Sequence, residues 1–532
     1  MAQQRQPSRA KDSRRGHNAS GRPAIPQDQT AQLMRDEVGT LRRRAPIEVA
    51  LCYPNTYRVA ASSLGLQLVY RAMNQDERLA CHRAVLPDIA AEGMTPPPVK
   101  TLEFSKPLAD YDAILVSIAY ELDLANLAMM FEASGIAALT AERKHSDPVV
   151  IAGGPLTTSN VLPLGPLCDV VVMGEAELVL PQIREWLASG VTPPELRRLA
   201  AEVKGLWVPS IHGDAVPDLL SCGPEQLPAL GQWRSPHAEL ADMMLMEASR
   251  GCPRYCKFCV VRAPQAPMRE PELERVVAAM DLPQYRDAPR IGLVGAAVSD
   301  WAPIKGALRA AIDRGKQIGI SSLRADRLDE DDEFCDLLFQ AGYRTMTVAS
   351  DAPSQRLRGK LAKGIRERHL WGAAQQARRV GMRSFKMYVI VGLPDENDED
   401  LDELIDFGKR LSTLNRTALT LSPFVPKLHT PMVEAPFEPE PSQTKKLRKI
   451  QAALADRVEV RFDSPKWAWL EYRLSHGGMD AAHAVVQAAR AGGGFAAWRK
   501  AFADLDAADP TAEHAALAAA RRHGLWAVAG AR

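Results

Sequence analysis

Residues 243–259 read MMLMEASRGCPRYCKFC: a short apolar run, a polar turn, then Cys252, Cys256 and Cys259 in C-x3-C-x2-C spacing. Thiolates select soft metals, and three of them in one tight loop can hold three irons of a [4Fe-4S] cubane while the fourth iron stays open to another ligand. The competing metal reading is a structural zinc site. It needs four closed ligands, so Cys222 or His237 would have to be recruited from elsewhere, and zinc knuckles favour paired C-x2-C units. Phe258 puts an apolar wall beside the metal. The other cysteines, Cys52, Cys81, Cys168, Cys222 and Cys335, are scattered mostly among apolar neighbours and read as small buried hydrophobes. Eight cysteines in 532 residues make no disulfide scaffold, and a reducing compartment is expected.

Downstream of this loop, strand-like runs recur at 290–294, 318–321, 345–349, 384–391 and 418–422, with helix-period segments between them. About six βα units starting near residue 239 and ending near 435 predict a partial or complete TIM-like β/α barrel, with its site at the carboxyl ends of the strands. Upstream, residues 46–205 alternate short apolar runs (IEVALCYP, DAILVSIAY, PVVIAGGP, DVVVMGEAE) with helical segments. That texture predicts a doubly wound, Rossmann-like parallel sheet whose ligand lies at the turns leaving the strands: 53–55, 117–120, 153–155 and 174–175. Residues 206–238 are Pro-rich and read as a linker. After residue 436 the strand signal gives way to Ala-rich amphipathic stretches, which predict a helical carboxyl-terminal domain over 436–532 in which Trp467, Trp469, Tyr472 and Trp498 are packing residues.

Residues 1–45 carry ten Lys/Arg against four Asp/Glu with no periodic apolar face, and read as a disordered basic arm. The whole chain is balanced, with 66 basic and 65 acidic residues, so it has no polyanion-binding field and nucleic acid is unsupported as a partner. A hydrophobic content of 46% is enough for two to four cored domains. No apolar run approaches the roughly 18 residues of a membrane span. The basic start MAQQRQPSRAKDSRRGHNASGRP has no apolar h-region, so a cytoplasmic location is expected.

The cysteine string and the segments after it resemble the radical S-adenosylmethionine (SAM) superfamily, over about residues 240–435. In that family the open iron chelates SAM, and one electron cleaves it to a 5′-deoxyadenosyl radical, supplied by a donor such as flavodoxin or ferredoxin. Carried over by position, LVGAAVSD (Leu293–Asp300) implies contact with the SAM amino group at Gly295 and Ser299, and Phe258 borders SAM. SSLRAD (Ser321–Asp326) implies a SAM carboxylate partner in Arg324, with Ser322 beside it. Asp351 stands where the family has Glu, which shortens that contact. KMYVIVGLP (Lys386–Pro394) implies an adenine turn at Gly392, and TLSPFVPKLHTP (Thr420–Pro431) the last barrel strand.

The strings 53–74 and 151–177 resemble the cobalamin-binding, flavodoxin-like domains that precede many radical SAM cores. The resemblance implies cobalamin contacts at Ser117, Gly153, Gly154, Pro155, Gly174 and Glu175. No D-x-H-x-x-G string exists, so the corrin is either held base-off without a protein histidine or absent from an emptied scaffold. With cobalamin the implied reaction is methyl transfer to an unactivated carbon. Without it, the core acts on RNA or a peptide, and the lack of a second cysteine triad argues against sulfur insertion. A non-catalytic corrinoid or redox sensor is a third reading, but it has no use for Arg324 or the Gly392 turn. The substrate is not legible.

Overall fold

The structure is a computed structural model describing residues 30–87, 96–261 and 265–523. Its first sheet is built from β1 (Ile47–Tyr53), β2 (Leu79–Val85), β3 (Ala113–Ser117), β4 (Val149–Gly153), β5 (Val170–Val172) and β6 (Leu206–Trp207), in the order β2-β1-β3-β4-β5-β6. All pairs are parallel except β5 with β6. The strands are apolar runs buried on both faces, as helices on both sides of a parallel sheet require. The order 2-1-3-4-5 is the flavodoxin-like arrangement.

β2 escapes a search for apolar runs because LACHRAV carries two polar residues. His82 bonds Tyr111 and the Arg43 carbonyl, and Arg83 lies between Glu37 (2.7 Å) and Glu103 (2.6 Å). The Glu37 pair corrects the expected arm. Residues 1–29 lie outside the described residues, but Thr30–Asp36 is a helix whose Leu33 packs with Tyr57 and Leu102, so 30–45 belong to the first domain. The expected linker is also structured. Trp207 and Trp233 are fully buried, and Leu220 bridges Gly174, because this strap carries enough apolar surface to cover the sheet edge.

The second unit has seven parallel strands. β7 (Met243–Glu247), β8 (Arg290–Val294) and β9 (Gln317–Ile320) form one sheet; β10 (Thr345–Ala349), β11 (Ser384–Val391), β12 (Thr417–Pro423) and β13 (Glu459–Phe462) form the other. A bridge between Leu323 and Val348 joins them into a partial barrel. Along β11, Phe385, Met387, Val389 and Val391 are buried against helices, while Lys386, Tyr388 and Ile390 alternate onto the lumen side.

The chain after 436 is mostly helical, as expected, but its elements pack into the two preceding units rather than standing apart. Helix Glu440–Leu454 and β13 complete the barrel, where Leu447, Ile450 and Leu454 join its core. The later helices, through Leu470, Leu474, Val485 and Phe502, share a core with Leu124, Met130 and Phe131 of the first domain. Trp469 meets Phe495 and Phe502 edge-on, and Trp498 is buried. Residues 524–532 lie outside the described residues. Among the described residues no helix is long and apolar enough to cross a membrane.

Candidate active site

β7 ends at Glu247 and delivers the chain directly into the cysteine loop at the barrel mouth. The loop is held from three sides. The Lys257 amide donates to the Leu361 carbonyl (3.0 Å), and the Cys259 amide to that of Cys256 (3.2 Å). Phe258 packs against the cluster formed by Leu357, Leu361, Leu393 and Phe424, which ties the loop to the turn after β11. Arg254 pairs with Asp300 at 2.5 Å.

Cys256 is buried, while Cys252 and Cys259 are half-buried. Burial pushes the Cys256 thiol up to about 11; the charges of Lys363 and Arg324 act in the opposite direction, and those of Asp351 and Cys259 add to the rise. Cys259 is likewise raised, by burial first and then by Cys252 and Asp351. Cys259 therefore sits within electrostatic reach of both Cys252 and Cys256, and Cys256 within reach of Lys363 and Arg324. A metal must displace these protons on binding, since only thiolates ligate. Three soft donors beside Lys363 and Arg324 fit an anionic iron–sulfur cluster with one open position. The zinc alternative loses its fourth ligand, because the Cys222 thiol bonds Glu175 (2.7 Å) and His237 bonds Asp36 (2.7 Å).

The residues carried over for SAM converge on this mouth. A Cβ on Gly295 would lie 2.7 Å from Ser249 Oγ, so only glycine lets the β8 turn approach β7. Ser299 Oγ accepts the Arg324 amide (3.1 Å). The Arg324 guanidinium is held by Asp326 at 3.0 and 2.8 Å and is 3.7 Å from Asp300. Asp351, at φ 59°, pairs with Lys363. Ser322 is half-buried at the end of β9. Gly392, at φ 86°, donates its amide to Glu396 (3.0 Å), which fixes the turn.

Asp300 was not singled out from the sequence although it ends the LVGAAVSD string. Its side chain is 1% exposed and meets Arg254, Arg324 and Arg327. Burial raises its pKa, but the bonds and charges of those arginines hold it below the usual carboxylate range.

A cavity of about 910 Å³ extends from the carboxyl edge of the first sheet into the barrel. Ser117, Gly153, Gly154, Pro155, Gly174 and Glu175 all line it, together with Ser249, Gly251 and Gly295. Two details correct the sequence expectation. Gly154 (φ 115°) and Gly174 (φ 87°) are required by the chain itself: a Cβ would lie 2.5 Å from the Ile118 carbonyl oxygen and 2.4 Å from that of Leu220. The Glu175 carboxylate is saturated by Arg269 (2.6 and 2.8 Å), Arg250 (3.0 Å) and Cys222, so it is not available to a ligand. The chamber has the size of a cofactor site, with a mostly apolar wall that includes Leu115, Ile151 and Val172. No histidine is among the residues lining that wall.

Residues 65–209 match the family model described as "Radical SAM proteins, N-terminal", and residues 246–408 that of the "Radical SAM superfamily". The uncharacterized protein MJ0966 of Methanocaldococcus jannaschii is 29% identical over 78% of this chain and 85% of its own. An uncharacterized methyltransferase of Pyrococcus horikoshii, PH0819, is 24% identical over 58% of this chain and 67% of its own. Among solved structures, the cobalamin-dependent SAM radical enzyme OxsB with aqua-cobalamin bound is similar at TM-score 0.49 and 13% identity, over 70% of this chain. The match takes in 53% of OxsB, so the chain spans about half the length of that enzyme. With the superfamily match running through the cysteine loop and the turns that surround it, the chain belongs to the radical SAM superfamily.

Proposed function

We propose that this enzyme binds SAM at a [4Fe-4S] cluster held by Cys252, Cys256 and Cys259, and uses a corrin in the first domain for methyl transfer to a carbon centre. One observation carries the second half. The cavity lined by the first-sheet turns at 117, 153 and 174 also reaches Ser249 and Gly295 at the ends of β7 and β8, so a ligand in it would adjoin the cysteine loop, although no cysteine of that loop and neither Arg324 nor Asp351 lines it. When bound, the cluster and SAM supply radical generation, and the corrin supplies a methyl group.

The chain's own part is to hold and enclose. Arg324 would exchange its Asp326 partner for the SAM carboxylate, a bidentate swap that keeps the guanidinium paired. Lys363 sets the charge beside Cys256, and Phe258 with Leu393 closes the apolar side. The apolar walls keep water from a radical. The name of the Pyrococcus relative, a methyltransferase, agrees with this reading.

The test is anaerobic reconstitution followed by two assays on one sample. Close to four irons per chain and release of 5′-deoxyadenosine are expected, both lost in Cys256→Ala. After incubation with hydroxocobalamin and desalting, retained corrin with a base-off absorption spectrum is expected. SAM cleavage without retained corrin would leave a radical enzyme with an empty first domain, and iron-free protein would remove the reading altogether.

A further inference from the structure

All three cysteines lie in the stretch between Arg250 and Arg269, and those two residues pair backbone to backbone, amide to carbonyl at 2.9 and 2.8 Å. The base of the cysteine loop is therefore a pinched two-strand neck. Both guanidiniums at the neck turn toward the first domain and meet one carboxylate. Glu175 takes Arg269 at 2.6 and 2.8 Å and Arg250 at 3.0 Å. Glu177 takes the far nitrogen of Arg250 at 2.8 Å, and Glu247, at the end of β7, takes the same guanidinium from the barrel side. These side chains are only 10–16% exposed, so the pairs are shielded and geometrically fixed rather than loose surface contacts.

We propose that Glu175 is a positioning residue for the metal-binding loop, acting through Arg250 and Arg269 to fix its neck from the first domain. The proposal rests on the three cysteines holding a cluster. Glu175 touches no cysteine of the loop, and its lever is two arginines that bracket all three. The same turn, 174–177, lines the cavity, so whatever occupies that cavity lies one carboxylate away from the neck. Outer groups that orient metal ligands characteristically govern how long the metal is kept.

The experiment measures iron loss from reconstituted full-length protein to an iron chelator, alongside the EPR spectrum of the reduced cluster and the melting temperature. Glu175→Gln and Arg269→Gln should each load iron normally, then lose it about 10-fold faster than wild type, with a shifted or broadened EPR signal. The double variant should be no faster than Glu175→Gln alone, because the Arg269 contact is already contained in the loss of the Glu175 carboxylate. Arg269→Lys keeps the charge but not the fork, and should also lose iron faster; it carries the test if either glutamine variant fails to fold. Arg78→Gln, which removes an exposed pair with Glu185 elsewhere on the first domain, leaves both arginine pairs intact and should match wild type. Iron loss at the wild-type rate in Glu175→Gln and Arg269→Lys overturns the proposal, as does a double variant in which the two effects multiply. Wild-type protein that binds no iron removes the cluster reading beneath it, a distinct outcome.

Discussion

The barrel mouth and the carboxyl edge of the first sheet are both made of turns leaving parallel strands, yet they were specified by different kinds of residue. At the mouth the turns bring together side chains with chemistry: three thiols, Lys363, Arg324, Asp351 and the buried hub Asp300. At the sheet edge the most distinctive residues are glycines, and two of them answer to the chain's own backbone at Ile118 and Leu220. A functional side chain in the right string names its task. A glycine reports only that something comes close, and the neighbour can be a ligand or the protein itself.

The sharpest way to break the comparison is at the joint that makes the first domain and the last helices one core. Lys427 there bonds Glu121 and Glu471 at 2.7 Å and Ser475 at 2.9 Å. Lys427→Met leaves the buried Glu121 and half-buried Glu471 carboxylates without their cation and should cost about 3 to 5 kcal/mol in chemical denaturation. The pH response checks the cause. Burial raises the Glu121 pKa, but Lys427 and Ser159 outweigh it and the net direction is down. Its stabilisation is therefore present above the usual carboxylate range and lost as pH falls through the lowered value. Lys427 is raised, so its share persists until pH climbs through that raised value. In Lys427→Met the stranded carboxylates should favour protonation, so acidification from about pH 7 to about pH 5 should stabilise the variant while leaving wild type flat or weaker. The same slope in both proteins would show that the joint does not depend on this network.

Next in size is Gly154→Ala. The residue adopts φ 115°, and its new Cβ would lie 2.5 Å from the Ile118 carbonyl oxygen, so a loss of about 2 to 3 kcal/mol is expected with or without any ligand. A loss of corrin uptake in that variant would therefore say little about ligand contact. Unchanged stability would return Gly154 to the ligand face.

How much of this could be read in the chain follows the same division. The strands β1, β3, β4 and β5 of the first sheet and β7 to β12 of the barrel were legible because apolar runs carry local signals, and the cysteine loop because its spacing does. β2 was not, since His82 and Arg83 satisfy their polar groups with partners distant in sequence. β13 was not, because EVRF is short and half-polar at the open edge of the barrel. The strap around Trp207 and Trp233 looked like a linker, since prolines suppress periodicity without preventing burial. The Glu175 clasp is a contact between residues 75 and 94 positions apart, which no local pattern announces.

At the mouth, Arg324→Ala should leave the cluster in place and weaken SAM binding by about 1.5 to 3 kcal/mol, measured by equilibrium dialysis on iron-loaded protein. The structure adds a converse. Asp326 holds the same guanidinium at 3.0 and 2.8 Å and so competes with a ligand carboxylate. Asp326→Asn should tighten SAM binding, by less than the Arg324 loss. Unchanged affinity in both variants would move the carboxylate contact elsewhere.

The smallest effect is the most discriminating one at the sheet edge. Gly153 lines the same cavity as Gly154, but a Cβ there would meet Val172 at 3.4 Å, an ordinary contact, and its φ is not in the left-handed region. Gly153→Ala should therefore cost less than about 1 kcal/mol of stability, since neither strain nor a backbone clash is involved. Lengthening the side chain in a second variant, Gly153→Leu, fills the chamber from a wall that tolerates it. If the first domain holds a corrin, that variant should keep its melting temperature and its iron while losing retained corrin absorbance. Corrin retention equal to wild type in Gly153→Leu would place the ligand away from this wall. Joint loss of corrin and stability would show that even this glycine belongs to the chain's own packing, erasing the distinction between the two neighbouring positions.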